Sequence, residues 1–257
     1  MKNIVLVVFL LPFLSFGSLV WGPKGHRVTG YIAEKHLTGK AKKALDDLLE
    51  GHSLAFVSTY ADEIKSDTKY AGYTPWHYVN YPLDRTYKDS EKSGAGDIVT
   101  GIAKCKTVLK DGNSSRADKI FHLKLLIHFL GDLHQPLHVG RAGDRGGNDI
   151  PLEWFNERSN LHKLWDTNLL ETYGMGFYEL GDELDRSTPK KERKQIQEGT
   201  IESWLEESHV LAKQIYSSAN AGEKLGYSYA YKYNPVVFEQ LKKGGFRLAK
   251  VLNEVFS

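Results

Sequence analysis

The stretch LIHFLGDLHQPLHVG, residues 126–140, decides how the chain is read. Leu125, Leu126, Phe129, Leu130 and Leu133 recur as in a buried helix that Pro136 closes. His128, Asp132, His134 and His138 are threaded through the same apolar run. Desolvating such groups is costly unless each finds a partner. On a helix His128 and Asp132, four residues apart, share one face. His138 follows just past the turn at Pro136. His134 falls on another face and is read as structural.

Working outward, a second stretch has the same spacing. NLHKLWD (160–166) puts His162 and Asp166 at i and i+4 among Leu161, Leu164 and Trp165. Three single residues sit in comparable settings: Asp62 in YADEIK, His77 in PWHYVN, and His26, five residues after Trp21. Taken singly, a histidine among apolar neighbours is more often a hydrogen-bonded core residue, and one His–Asp pair is more often an ion pair. Two such pairs in apolar settings leave the ion-pair and metal readings both open. His36, His52, His122 and His209 read as surface or helix-end groups. The only cysteine, Cys105, cannot form an intramolecular disulfide or a thiolate cluster. Any metal here would therefore sit among His and Asp.

The 257 residues are 41% hydrophobic and 12% aromatic, which fits a globular domain and excludes a disordered chain. A formal charge of +2 excludes a globally basic surface, so affinity for nucleic acid would have to come from a local site. Residues 1–20 read as a signal peptide: Lys2 is the positive n-region, and the apolar run from Ile4 to Phe16 is too short for a good membrane span. Residues 21–257 form the expected mature domain, exported and soluble. Cleavage after Val20 exposes Trp21, whereas SFG (15–17) suits the peptidase better and would leave Ser18 first.

Helical patterns are expected over 26–37, 38–50, 59–68, 97–111, 116–134, 159–172, 176–186, 189–218 and 235–256. Residues 69–95, with Pro75, Pro82, Gly72 and Gly94, read as loop. The segment 143–155 reads as a small β-hairpin, from its paired glycines and the alternation of Ile150, Leu152 and Trp154. The expectation is a mainly α, single-domain protein.

The stretches WGPKGH, YADEIK, PWHYVN, HFLGDLHQPLH, GGND and NLHKLWD, in this order and spacing, resemble the S1/P1 nuclease family. These are single-strand nucleases and 3′-nucleotidases of the zinc-dependent phospholipase C/nuclease superfamily. The resemblance spans the whole expected mature chain. It implies a helical phospholipase C/nuclease-like fold and three Zn²⁺ ions. One ion would be held by Asp62, His77, His128 and Asp132, and a second by His138, His162 and Asp166. The third would be held by the amine and carbonyl of Trp21, by His26 and by Asp132, which bridges two ions. The resemblance further implies Asp62 and Lys65 as catalytic groups, with Lys65 where the family usually has Arg. Tyr78 matches the stacking aromatic, and Asn80 and Asn148 fall at substrate-binding positions. Substrates would be single-stranded RNA and DNA and 3′-nucleotides, cut at P–O3′ by a monomer that is secreted or periplasmic. The metals would then supply the anion-binding charge that the overall composition lacks. A phospholipase C on the same scaffold is the alternative, although Asp166 stands where the phospholipases carry Glu. A zinc-binding protein with a degenerate site is the non-enzymatic rival.

Overall fold

A computed structural model describes residues 22–257, so the signal-peptide expectation and Trp21 lie outside the described residues. The first described element is α1 (Pro23–Lys35), where Pro23 supplies a pre-set φ in the first turn. α2 (Gly39–Leu48) is capped by Thr38, which accepts from Ala41 N. Short helices α3 (Leu54–Val57) and α4 (Tyr60–Glu63) follow, and α4 runs on into a 3₁₀ turn at Ile64–Ser66. α5 (Ile98–Lys110) begins at a capping box made by Asp97 and Thr100. α6 (Arg116–Asp132) is the central helix, and every residue from Leu125 to Asp132 on it is buried. A helix buried on all faces has no solvent side for polar residues, so those on it must be satisfied internally.

The second half holds the hairpin β1 (Pro151–Trp154) and β2 (Glu157–Asn160), then α7 (Leu161–Lys163), a π-helical turn at Leu164–Asn168 and α8 (Leu169–Tyr173). α9 (Phe177–Arg186), α10 (Lys190–Ile196), α11 (Ile201–Tyr216), β3 (Lys224–Leu225) and α12 (Tyr227–Val255) complete the fold. α12 packs along α1 at close range: a Cβ on Gly245 would lie 2.6 Å from Ile32 Cβ, so only glycine lets the two axes approach this far. The mainly α architecture agrees with the sequence reading. One apolar cluster joins α2, α5 and α6, and another joins α1, the sheet, α8, α9 and α12.

Several boundaries differ from expectation. Residues 69–95 are not all loop, since Thr68–His77 is a 3₁₀ helix ending at a candidate ligand. The hairpin lies later than 143–155. Its turn is Phe155–Asn156, both left-handed (φ 50° and 67°), as a two-residue type I′ turn requires. Leu152 and Trp154 do face the core, paired with Ser159 and Glu157. β3 joins β1 in parallel, a two-residue pairing with no signature in the sequence. The helix expected over 189–218 breaks between α10 and α11, where Gly199 is left-handed (φ 94°) and Thr200 forms a capping box with Ser203. α12 starts eight residues before Pro235 and continues through it. The carbonyl of Tyr231, which loses its helical partner to Pro235, sits at a residue that is 89% exposed, so water can satisfy it.

Candidate metal centre

α6 contributes His128 and Asp132, both fully buried. His128 Nδ1 lies 2.6 Å from the carbonyl of Ser58, which can only accept, so Nδ1 carries a proton and Nε2 is the nitrogen turned to the cluster. Around that Nε2 gather His77 Nδ1 at 3.1 Å, Asp132 Oδ2 at 3.1 Å and Asp62 Oδ1 at 3.3 Å. His77 Nδ1 is in turn 2.9 Å from Asp132 Oδ2. The end of the 3₁₀ helix delivers His77, and α4 delivers Asp62.

α1 delivers His26, whose ring stacks on that of His128 with centroids 3.8 Å apart. His26 Nε2 lies 3.4 Å from Asp132 Oδ1. A Cβ at Gly131 would come within 2.6 Å of His26 Nδ1, so the glycine of LGDLH is what admits this imidazole beside α6. Gly22 N donates to the carbonyl of Asp166 (2.8 Å), which ties the start of the described chain to the same centre.

The second group comes from the 3₁₀ turn Pro136–Val139 and the segment after β2. His138 Nδ1 donates to His77 O (2.9 Å), and His162 Nδ1 donates to Gly146 O (2.8 Å). Both Nε2 atoms are therefore the nitrogens left to face Asp166, and both are buried without a hydrogen-bond partner. Asp166 lies between them, with Oδ1 3.5 Å from His138 Nε2 and Oδ2 4.0 Å from His162 Nε2. The i,i+4 spacing read from NLHKLWD survives, but the helix carrying it is partly a π turn, a distortion common at functional sites. Gln135, buried and not singled out from sequence, donates from Nε2 to Asp166 Oδ1 (3.0 Å) and accepts Leu137 N at Oε1 (2.6 Å). One side chain thus fixes both the Asp166 carboxylate and the turn that bears His138.

Within the cluster, burial and neighbouring charge pull several of the groups in opposite directions. Burial pushes His128 down, but Asp132 and Asp62 outweigh it and raise the imidazole to about 10. His138 is likewise opposed by burial and raised to about 10 by Asp132 and Asp166. Burial lowers His77 to about 4 and also lowers His26 and His162. Burial works against the charged forms of Asp62 and Asp132, yet nearby cations hold both well below the usual carboxylate range: His128 and Lys65 for Asp62, His128 and His138 for Asp132. Buried carboxylates that call for positive charge, beside imidazole nitrogens without hydrogen-bond partners, are the chemistry of a divalent-cation site with nitrogen and oxygen ligands. The groups His77–His128–Asp132, His138–His162–Asp166 and His26–Asp62–His128 each bring ligand atoms within 4.8 Å of one another.

Above the cluster opens a cavity of about 700 Å³ onto which His77, His138 and His162 face. Lys65, Tyr78, Asn80 and Asn148 line it, so the structure brings all the sequence-identified substrate residues to one place. Lys65 Nζ is 2.9 Å from Asp62 Oδ1. The Tyr78 ring is 41% exposed, although its backbone is held where its carbonyl accepts Ile98 N. The side-chain oxygens of Asn80 and Asn148 are buried without a hydrogen-bond partner.

The other histidines divide. His134 is structural as expected: Nδ1 donates to Leu130 O (2.7 Å) and Nε2 receives Arg247 Nη1 (3.1 Å). His52 is exposed against Phe56, and His36 pairs with Asp185 at 2.6 Å. The expectation of surface placement fails for His209, which is buried, stacked on Tyr81 and donating to Val139 O. His122 is also buried, with Nδ1 against Asp118 O one helical turn back.

Fold and site together define a helical protein built round a His/Asp centre that could bind metal. The chain belongs to the S1/P1 nuclease family, whose model, described as S1/P1 Nuclease, matches residues 21–257. Endonuclease 4 of Arabidopsis thaliana is 33% identical over 97% of this chain and 94% of its own length. Endonuclease 2 of the same plant is 31% identical over 92% and 90%. Nuclease S1 of Aspergillus oryzae is 28% identical over 95% and 93%. The chain is thus a nuclease-family enzyme, and the phospholipase alternative is not favoured.

Proposed function

We propose that the protein is a secreted, monomeric, zinc-dependent endonuclease. It hydrolyses P–O3′ bonds of single-stranded RNA and DNA, leaves 5′-phosphates, and removes the phosphate of 3′-nucleotides. The observation that carries the reading is the pair of buried imidazole Nε2 atoms of His138 and His162 that have no hydrogen-bond partner and face Asp166 at the floor of an open cavity. The ligand sets are Asp62, His77, His128 and Asp132 for one ion, His138, His162 and Asp166 for the second, and Trp21, His26 and Asp132 for the third. Residues 1–20 are the signal peptide, removed to free the amine of Trp21. No helix among the described residues is long and apolar enough to cross a membrane. When bound, zinc supplies positive charge to phosphate oxygens and makes water nucleophilic near neutral pH.

The chain's own residues do the rest. Asp62, held as a carboxylate by its cationic neighbours, orients the attacking water. Lys65, one helical turn on, adds charge at the mouth of the cavity without the planar fork of an arginine. Tyr78 offers its exposed ring to an unpaired base, a contact worth ~1–3 kcal/mol. A duplex must first unstack to present a base this way, which favours single strands. The amides of Asn80 and Asn148 have free oxygens for base or sugar donors.

The mature protein should degrade single-stranded DNA faster than the duplex of the same sequence, and a chelator should stop both reactions. Cleavage that persists in chelator would remove the zinc reading, and turnover of phosphatidylcholine micelles in place of DNA would restore the phospholipase alternative. For Lys65→Ala we expect kcat/KM on single-stranded DNA to fall about 10- to 100-fold, with partial recovery in Lys65→Arg. Unchanged turnover in the alanine variant would mean that Lys65 serves only to pair with Asp62. Gln135→Leu leaves Asp166 without its donor and should weaken one zinc site about 10- to 100-fold, as read by competition with a chromophoric chelator. Affinity equal to that of the unsubstituted protein would show that the π turn alone orients Asp166.

A further inference from the structure

The cavity over the metal centre does not end at its rim. A second cavity of about 550 Å³ adjoins it and shares Asn80, Glu91, Ser93 and Ala142 as a common wall. Lys92 and Arg141 line this second space and do not line the first. We propose that it is a subsite for the nucleotide next to the one being cleaved, with Arg141 as its phosphate-binding side chain. The proposal rests on the reading of the protein as an endonuclease, since only a polymeric substrate has an adjoining nucleotide to place.

Arg141 is prepared for this task. Its guanidinium stands 4.3 Å over the Tyr216 ring, and its Nε donates to Asp144 Oδ2. Asp144 is buried and braced in turn, with Oδ1 accepting the Tyr216 hydroxyl (2.9 Å) and Gly147 N (2.9 Å). The backbone N of Arg141 donates to the same hydroxyl (3.3 Å). A long cationic side chain is thereby fixed at its base, so it loses little further freedom when it binds. It remains 47% exposed, and neither Nη forms a hydrogen bond to the described residues, which leaves a fork for two phosphate oxygens. Asp144 and Glu91 are the nearby acids. Asp144 is occupied by the contacts above, and Glu91 lies in the wall between the cavities. The same 3₁₀ turn that carries His138 leads directly into Arg141, so a strand crossing from one cavity to the other follows one rigid stretch of chain.

The test is substrate-length dependence in the zinc-loaded mature protein. For Arg141→Gln, KM for a single-stranded hexanucleotide should rise roughly five- to tenfold. KM for the shortest substrate turned over, a 3′-nucleotide or a dinucleotide with no phosphate beyond the scissile one for Arg141 to bind, should change less than twofold, with kcat unaltered for both. The slope of log(kcat/KM) against log[salt] on the hexanucleotide should become shallower by ~0.7, the loss of one phosphate contact on a single strand. Arg141→Lys, which keeps the charge, should recover part of both effects. Equal rises for long and short substrates, or no rise for either, would overturn the subsite. Failure of the unsubstituted, zinc-loaded protein to cut any oligonucleotide would instead overturn the endonuclease reading itself.

Discussion

Asp132→Ala is expected to lower kcat on single-stranded DNA by more than ~10³, because metal-supplied stabilisation of the transition state amounts to several kcal/mol. The carboxylate is the hub of the centre. Oδ2 lies within 3.1 Å of both His77 and His128, and Oδ1 faces His138 at 3.1 Å and His26 at 3.4 Å. Among the described residues, no other side chain touches ligands from α1, the 3₁₀ helix before Tyr78, α6 and the turn beyond it. Its loss removes the bridge between two proposed zinc sites, so elemental analysis should find the protein short of two ions of three. Alanine leaves a small void and unpartnered imidazoles, which could unfold a marginal protein, so circular dichroism of the variant belongs with the assay. Asp132→Asn keeps the volume and removes the charge, and it should show the same loss of metal with native helical content. A folded, metal-replete Asp132→Asn with ordinary turnover would mean that Asp132 is a structural partner of the histidines and no bridge.

Why the centre could be read in the sequence and much of its surroundings could not has a physical basis. Chelation by side chains four residues apart is a local pattern, and it stands out where a buried helix offers no solvent face to explain His128 and Asp132. The partners that set the tautomers are backbone carbonyls of Ser58, His77 and Gly146, and a carbonyl has no signature in the side-chain alphabet. Gln135 lay in plain view in LHQPLH, but its role depends on Asp166, 31 residues away. The sequence pattern sets the hairpin too early because Gly146 and Gly147 look like its turn. They are left-handed, as a turn would need, but they build the loop that holds His162, while Phe155 and Asn156 turn the strands without any glycine. His209 shows the opposite error: a histidine in a Lys/Glu-rich helix looks solvated until packing against Tyr81 and Val139 buries it. From sequence Pro235 reads as a helix start, and only exposure of the preceding turn shows why the helix can pass through it.

Stripping the metal should cost the protein much of its thermal stability, and the cost should grow with pH. An ion present at about 1,000 times its Kd stabilises the native state by ~4 kcal/mol, which for a domain of this size is ~8–16 °C in Tm for each ion removed. Apart from Lys65 beside Asp62, the stripped centre compensates by protonating imidazoles. His128 and His138, raised from 6.5 to about 10 by the carboxylates they face, are cationic in the metal-free native state at neutral pH. A group whose folded pKa is raised contributes stability that is complete below its unfolded value and disappears as pH climbs through its folded value. The metal-free protein should therefore lose Tm steadily between about pH 6.5 and 10, as the two histidines give up the protons that had neutralised Asp62, Asp132 and Asp166. A bound zinc ion would neutralise the same carboxylates without a proton, and its affinity would rise as competing protons leave. The loaded and stripped melting curves should consequently diverge across this window, and metal uptake at pH 7 should release protons to the solution. Scanning calorimetry of both forms at several pH values, with an unbuffered proton-release titration at the lowest, reads each effect directly. Parallel curves with a constant gap would show that His128 and His138 are neutral without metal, and that the buried carboxylates are held by something other than the histidines that surround them.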